Sequence, residues 1–288
     1  MDASPDPDAD LDVLLTNDDG IDAPGLRALA EELAALGEVR VLAPATNQSA
    51  VGRGLSYGRM GPSGRLDGGV DLEAGSFAVD IDHADHELGY AVHGTPCDCV
   101  ILGLGALEPT PDVVVAGCNP GANLGAHVLP RSGTASAAEE AACLGVPAMA
   151  LSMDTLGHGD LAVGDFERAC RLGRQVLERA LAADAFETAD YLNVNVPRPD
   201  RELTGLAVTR PTDVYEMDAT LEDGRFRLRN PLWEGMATGD IPDPEGTDRR
   251  ALLSGAASVS PLSVPSTADE GTLAALADVF GDVSLADL

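Results

Sequence analysis

Asp12-Val-Leu-Leu-Thr16 runs directly into Asn17-Asp-Asp-Gly20, and Pro24 to Leu36 follows. This stretch decides the fold. A short apolar run ending in a polar loop reads as a buried strand. Leu26, Leu29, Ala30, Leu33 and Leu36 recur at spacings of three and four, which sets them on one helical face. Pro24 stands where a missing N–H costs nothing, and Gly37 stands where a helix end favours glycine. Val39-Arg-Val-Leu-Ala43 is the next strand. Strand, loop, helix and strand in that order make a parallel crossover unit.

The alternation continues outward. Tyr90-Ala-Val92 leads into Thr95-Pro96, with Asp98 three residues after Thr95. Those are the N-cap, first-turn and capping-box positions of a helix through Leu104. Asp112 to Ala116 reads as a strand, Gly133 to Leu144 as a small-residue helix and Val146 to Leu151 as a strand. Phe166 to Leu181 reads as a long amphipathic helix, and Tyr191 to Val196 as a strand. The expectation is an α/β fold with a mainly parallel sheet covered by helices on both faces. Ligands of such sheets bind beyond the carboxyl ends of the strands. The loops after Thr16, Ala43, Val92, Ala116 and Leu151 are therefore where chemistry is sought.

Residues 11–197 form the expected core. Residues 1–10 read as a disordered acidic leader, and 198–288 as a smaller extension concerned with oligomer contacts. In that extension Gly205–Thr209 and Phe226–Leu228 read as short strands, and Gly271–Phe280 as a last helix. Gly61 to Gly75 reads as an exposed loop or hairpin.

Composition narrows the setting. The 288 residues carry 48 acidic and 18 basic side chains, a formal net charge of -30, and no lysine. Dispersed negative charge repels polyanions, which argues against nucleic-acid polymers as partners. It suits concentrated salt, where charges are screened within about 3 Å at 1 M. A halophilic origin is expected, with unfolding on dilution. No apolar run reaches the roughly 18–20 residues of a membrane span, and the N-terminus lacks the pattern of a secretory signal. A cytoplasmic protein is expected. The cysteines at 97, 99, 118, 143 and 170 are odd in number and read as reduced, mostly buried thiols.

Four loops carry candidate chemistry. Asp18 and Asp19 at a strand end repel each other, and a hard divalent cation would relieve them; Asn-Asp-Asp-Gly is equally good turn chemistry. Asn47-Gln-Ser49 adds neutral ligands one strand over. Asn119-Pro-Gly-Ala-Asn123-Leu-Gly125 allows close backbone approach and offers two amides, yet lacks the Gly-Lys-Ser/Thr of a triphosphate-binding loop. Arg131-Ser132-Gly133-Thr134 opens a helix whose free amides suit phosphate; Ser132 or Thr134 also serves as a simple N-cap. Of the histidines, His83 and His86 fall in an acidic, loop-like segment, His93 follows a strand end, and His127 is the strongest acid–base candidate.

Together these loops resemble the SurE family of nucleotidases. The resemblance rests on Leu14-Leu-Thr-Asn-Asp-Asp-Gly20 with Ala23-Pro-Gly25, on Ala43-Pro44 with Asn47-Gln-Ser49, and on His93-Gly-Thr-Pro-Cys-Asp-Cys-Val100. It continues with Asn119-Pro-Gly-Ala-Asn-Leu-Gly125 and Ser132-Gly-Thr134, then Leu192-Asn-Val-Asn-Val-Pro197, Gly246-Thr-Asp248 and Val259-Ser-Pro-Leu262. It implies a Rossmann-like three-layer sandwich with a C-terminal arm exchanged in a homodimer or homotetramer. It also implies one Mg²⁺ or Mn²⁺ ion per subunit and hydrolysis of nucleoside 5′- and 3′-monophosphates. By motif, the metal ligands fall on Asp18, Asp19, Ser49 and Asn119. Asn123 and Ser132 join the two Asp as catalytic positions, and Asn123, Arg131, Ser132, Gly133 and Thr134 meet the phosphate. His127 and Arg131 stand where many members have Asp and Tyr, and Gly255-Ala-Ala-Ser258 departs from the family's Gly-Tyr-Val-Ser. The rival readings are a silent nucleotide- or metal-binding regulator and a polyphosphatase using the same site.

Overall fold

The computed structural model describes residues 11–57, 70–71, 76–77, 79–156 and 159–265. The acidic leader, most of the Gly61–Gly75 stretch, His158 and the helix expected over Gly271–Phe280 lie outside them.

The opening crossover unit is β1 (Leu11–Thr16), α1 (Pro24–Leu33) and β2 (Gly37–Pro44). Two short pairs follow, β3 (Val70–Asp71) with β4 (Ser76–Phe77) and β5 (His83–His86) with β6 (Gly89–Val92). Next come α2 (Pro96–Ala106), β7 (Val113–Pro120), α3 (Gly133–Cys143), β8 (Ala148–Met153), α4 (Val163–Ala182) and β9 (Tyr191–Val196). The remainder is β10 (Gly205–Val208), β11 (Asp218–Glu222), β12 (Arg225–Arg229), α5 (Pro231–Thr238), α6 (Asp248–Leu253) and β13 (Ala256–Leu262).

Nine strands share one sheet in the order β10-β13-β9-β8-β7-β1-β2-β6-β5. From β9 across to β6 every neighbouring pair is parallel. The chain leaves β1 toward β2 and later returns to its other side as β7. The gap between β1 and β7 is thus the point where strand order reverses, and a crevice opens there beyond the carboxyl ends.

Side chains alternate across the sheet, so successive residues face opposite layers. Val13 and Leu15 pack with Leu26, Leu29 and Leu33 of α1 and Phe166 and Leu177 of α4. Leu14 faces the other way, toward Val100 of α2 and Ala137, Ala138 and Ala141 of α3. Helices thus cover both faces, giving the expected three layers. Leu26, Leu29 and Leu33 are fully buried, and each such side chain contributes about 1.5–3 kcal/mol. The run of alanines lets α3 lie close on the sheet, which brings its first turn to the crevice.

Helix α2 begins as its sequence dictates. Thr95 Oγ1 accepts from the Asp98 N–H at 3.1 Å, and Asp98 accepts from the Thr95 N–H at 2.7 Å. Other boundaries moved. Helix α1 stops at Leu33, and Ala34–Leu36 form a closing turn. Strand β8 begins at Ala148 rather than Val146 and continues to Met153. His83 and His86, read as loop, lie on edge strand β5, hydrogen-bonded to β6 on one side. An edge strand keeps one side in solvent and tolerates a polar sequence, so periodicity could not reveal it. Strands β10 and β13, from the C-terminal segment, extend the main sheet beside β9. Among the described residues no helix is long and apolar enough to cross a membrane.

Candidate functional site

The loop after β1 is closed by its own asparagine. Asn17 Nδ2 donates to the Gly20 carbonyl at 2.9 Å, and the Gly20 N–H donates to Asn17 Oδ1 at 3.2 Å. Gly20 has φ of +103°, a backbone region that costs glycine little and other residues much. The turn leaves Asp18 buried and Asp19 half-buried at the crevice.

The loop after β2 is tied to it. The Ile21 N–H donates to the Pro44 carbonyl at 2.9 Å, and the Gln48 N–H to the Asp18 carbonyl at 2.6 Å. Asn47 Nδ2 reaches Asp19 Oδ1 at 3.5 Å, and Asn47 Oδ1 accepts from the Ser49 N–H at 2.8 Å. Ser49 therefore sits one hydrogen bond behind the side chain that meets Asp19. The Gly52 N–H donates to the Arg131 carbonyl at 3.2 Å, which joins this loop to the start of α3.

Ser132 is the N-cap of α3, its Oγ accepting from the Ala135 N–H at 3.0 Å. Thr134 Oγ1 donates to Asp18 Oδ1. Gly133 lies so close that a Cβ there would stand 2.6 Å from Asp18 Cβ. The helix start and the first carboxylate are therefore in contact, and glycine is what permits it.

The electrostatics of the acid pair follow from burial. Desolvation raises the Asp18 pKa, and hydrogen bonds from Thr134 pull it back. Asp19 is pushed up to about 7, first by burial and then by the charge of Asp18. Asp19 Oδ2 is buried with no hydrogen-bond partner among the described residues. A buried acceptor left unpaired beside a like charge is costly, and a cation is what such a pair accommodates. Among the described residues no three His, Cys, Asp or Glu side chains converge. A cation here would thus take two carboxylates and otherwise neutral oxygens, a donor set that suits hard ions.

The third loop leaves β7, the strand beside β1. Asn119 is in register with Ser152 of β8, and its amide nitrogen donates to the Gly121 carbonyl. Asn123 is pinned from beneath. Its N–H donates to Asn195 Oδ1 at 2.7 Å, its side-chain amide donates to Ser152 Oγ at 3.0 Å, and its carbonyl accepts from Asn193 and Asn195. Arg131 and His127 are exposed; the guanidinium of Arg131 donates to the His127 carbonyl and lies over Tyr215.

Of the residues singled out by sequence, contacts join Asp18, Asp19, Ser132, Gly133 and Thr134 with the Asn47–Ser49 loop. Asn119 and Asn123 stand at the neighbouring strand end, Asn119 engaged within its own loop and Asn123 held by Ser152 of β8 and by Asn193 and Asn195 of β9. The sequence offered Asn47 as a neutral ligand, and the structure sets it against Asp19; three supports were missed, Ser152, Asn193 and Asn195 beneath Asn123. Asn193 and Asn195 did carry a signal. Two amides at alternate positions of a buried strand share one face and need partners there. Asp248 was also missed as a site support. It is fully buried, and its carboxylate accepts from the N–H groups of Gly125 and Thr212 at 2.7 and 3.0 Å.

Known proteins resemble this chain over most of its length. The family model described as "Survival protein SurE" matches residues 13–217. A Natronomonas pharaonis protein named 5'-nucleotidase SurE is 50% identical over 281 residues, covering 94% of this chain and 100% of its own. The protein of the same name from Halobacterium salinarum is 49% identical over 275 residues, covering 93% and 98%. The crystal structure of the SurE protein from Aquifex aeolicus superposes with a TM-score of 0.73 at 30% identity, covering 93% of this chain and 98% of that one. With the family model spanning the loops described above and relatives aligned over nearly their whole length, this chain belongs to the SurE family.

Proposed function

We propose that this chain is a divalent-metal-dependent phosphohydrolase that releases phosphate from nucleoside 5′- and 3′-monophosphates. The observation that carries the proposal is the buried Asp18–Asp19 pair set against the start of α3, with Asp19 Oδ2 left without a partner. The two close relatives that bear the name 5'-nucleotidase SurE support the substrate class.

The metal is assigned to Asp18 and Asp19, with Ser49 and Asn119 completing the set. A bound Mg²⁺ or Mn²⁺ supplies Lewis-acid polarisation of a phosphoryl oxygen and a more acidic water. The remaining work belongs to the chain. The first turn of α3, at Gly133 and Thr134, carries the positive end of the helix and meets phosphate oxygens. Ser132 caps that turn and fixes its direction, and Arg131 brings the adjacent positive charge. Thr134 holds Asp18 in one rotamer through its hydroxyl. Asn123 sits on a buried amide network that keeps the strand-end loop from shifting. Water is added across the P–O ester bond, so that phosphate and nucleoside leave. Attack comes from water or from an Asp carboxylate, and trapping of an aspartyl-phosphate distinguishes the two.

The test is phosphate release from a panel of 5′- and 3′-monophosphates in molar KCl with Mn²⁺, Mg²⁺ or EDTA. Release that disappears with EDTA and in Asp18→Asn is the expected result. A folded protein that releases nothing with any metal would overturn the proposal in favour of a binding protein.

A further inference from the structure

We propose that Tyr215, His127 and the guanidinium of Arg131 form a stacking platform for the nucleobase of the substrate. This rests on the nucleoside monophosphate reading above and assigns residues to the part of the substrate that carries no phosphate. The rings of Tyr215 and His127 lie 4.8 Å apart between centroids, with 35° between their planes. The central guanidinium carbon of Arg131 stands 5.3 Å from the Tyr215 centroid. Three planar groups thus gather in one place, and all three residues are exposed. Unpaired bases stack on such groups, on His and Tyr rings and on guanidinium planes alike.

The chain sets them next to the proposed phosphate site. Arg131 directly precedes Ser132, the cap of the helix that meets phosphate, so one Arg side chain separates that helix start from the Tyr215 ring. Tyr215 also walls a small cavity of about 50 Å³ shared with Ala122, Leu124, Val128 and Trp233. The platform therefore borders a mainly apolar recess.

The chain behind the rings is fixed. The Ala126 N–H donates to the Thr212 carbonyl at 2.9 Å, which joins the segment carrying His127 to the one carrying Tyr215. Asp248 binds the N–H groups of Gly125 and Thr212, one in each segment. Arg249 donates to the Val214 carbonyl at 3.0 Å and pairs with Asp243 at 3.2 Å, both side chains being buried. Rings presented on a cross-linked backbone lose little freedom when a ligand is stacked on them.

The test is a ratio. kcat/KM is measured for adenosine 5′-monophosphate and for ribose 5-phosphate, which keeps the phosphate and sugar and lacks the base. The wild-type chain is expected to favour the nucleotide. Tyr215→Ala and His127→Ala are expected to cut that preference about tenfold or more, and Tyr215→Phe to retain it. A wild-type chain that treats both substrates alike would overturn the proposal. So would variants that lower both values by the same factor, which marks a structural role. Release of phosphate from neither substrate would instead sink the phosphohydrolase reading. Binding then decides separately, through the emission of Trp233, the chain's one tryptophan. Tighter binding of the nucleotide than of ribose 5-phosphate, lost in Tyr215→Ala, sustains the platform, and superimposable titrations refute it.

Discussion

Replacing Asp248 by Asn or by Ala tests how the C-terminal segment holds the loops of the site. Asp248 Oδ2 accepts from the Gly125 N–H, while Oδ1 accepts from the N–H groups of Thr212 and Arg249 at 3.0 and 2.7 Å. Burial pushes the pKa of this carboxyl up, against the pull of those three donors and of Arg249. In Asp248→Ala all three N–H groups lose their acceptor inside the protein, and each such loss costs about 1–3 kcal/mol. Relief of the buried charge offsets part of that sum, so about 4 kcal/mol is expected for Ala, a large share of the roughly 5–15 kcal/mol that holds a domain folded. Asp248→Asn differs in kind. Its carbonyl can still serve Thr212 and Arg249, but its NH₂ then faces the Gly125 N–H, donor against donor. One orphaned donor remains, and about 2 kcal/mol is expected. Urea unfolding in molar KCl, followed by circular dichroism, measures both. Asn should also lower kcat/KM for the nucleotide under conditions where the variant is fully folded, because Gly125 closes the loop carrying Asn119 and Asn123. An Asn variant as unstable as Ala, or an Ala variant within 1 kcal/mol of wild type, would refute the reasoning.

Two further outcomes follow from contacts at the site and from the thiols. Gly133→Ala places a Cβ 2.6 Å from Asp18 Cβ and 2.9 Å from its Oδ2. Helix propensity alone would favour the alanine, so the melting temperature should hold within a few degrees. Phosphate release should nonetheless fall about a hundredfold through displacement of Asp18, and wild-type turnover would count against the contact. Of the five cysteines, only Cys143 is exposed. Burial pushes Cys97 up to about 12 and raises Cys99 and Cys118 as well. A disulfide reagent at pH 8 should therefore titrate one thiol in the native protein and five in denaturant. A second fast thiol in the native state would contradict the burial.

The layered core was legible because its signals are local. Leu26, Leu29 and Leu33 announce a helix by spacing, Thr95 and Asp98 announce another by capping, and Val113 to Ala116 announce a buried strand by composition. The site was legible to the extent that its residues lie at strand ends. Asp18, Asp19 and the Ser132–Thr134 turn could be found because loops after parallel strands converge. What stayed hidden depends on long-range pairing. Asn47 meets Asp19 only because the β2 loop folds back over the β1 loop. Asp248 reaches Gly125 across 123 residues of sequence, and no periodicity predicts such a bond. Tyr215 joins His127 because Thr212 and Val214 are fixed by Asp248 and Arg249, so its place emerges only from the C-terminal segment.

The same geometry bears on how so acidic a chain would accept a phosphate. With a net charge of -30, the averaged field of the surface opposes every phosphomonoester that approaches at low ionic strength. In molar salt that field fades within about 3 Å, and only groups touching the substrate still matter. At the crevice those groups are of the opposite character. In the proposed site they are the positive end of α3, the guanidinium of Arg131, and the cation held by Asp18 and Asp19. The two carboxylates that look least suited to an anion are thus the ones that would recruit its counter-charge. Burial and the charge of Asp18 push Asp19 up to about 7, and a cation would relieve that repulsion. High salt and the proposed cation would then work together. Screening removes the distant repulsion, and contact chemistry supplied by a few residues around Ser132 is left to choose the ligand.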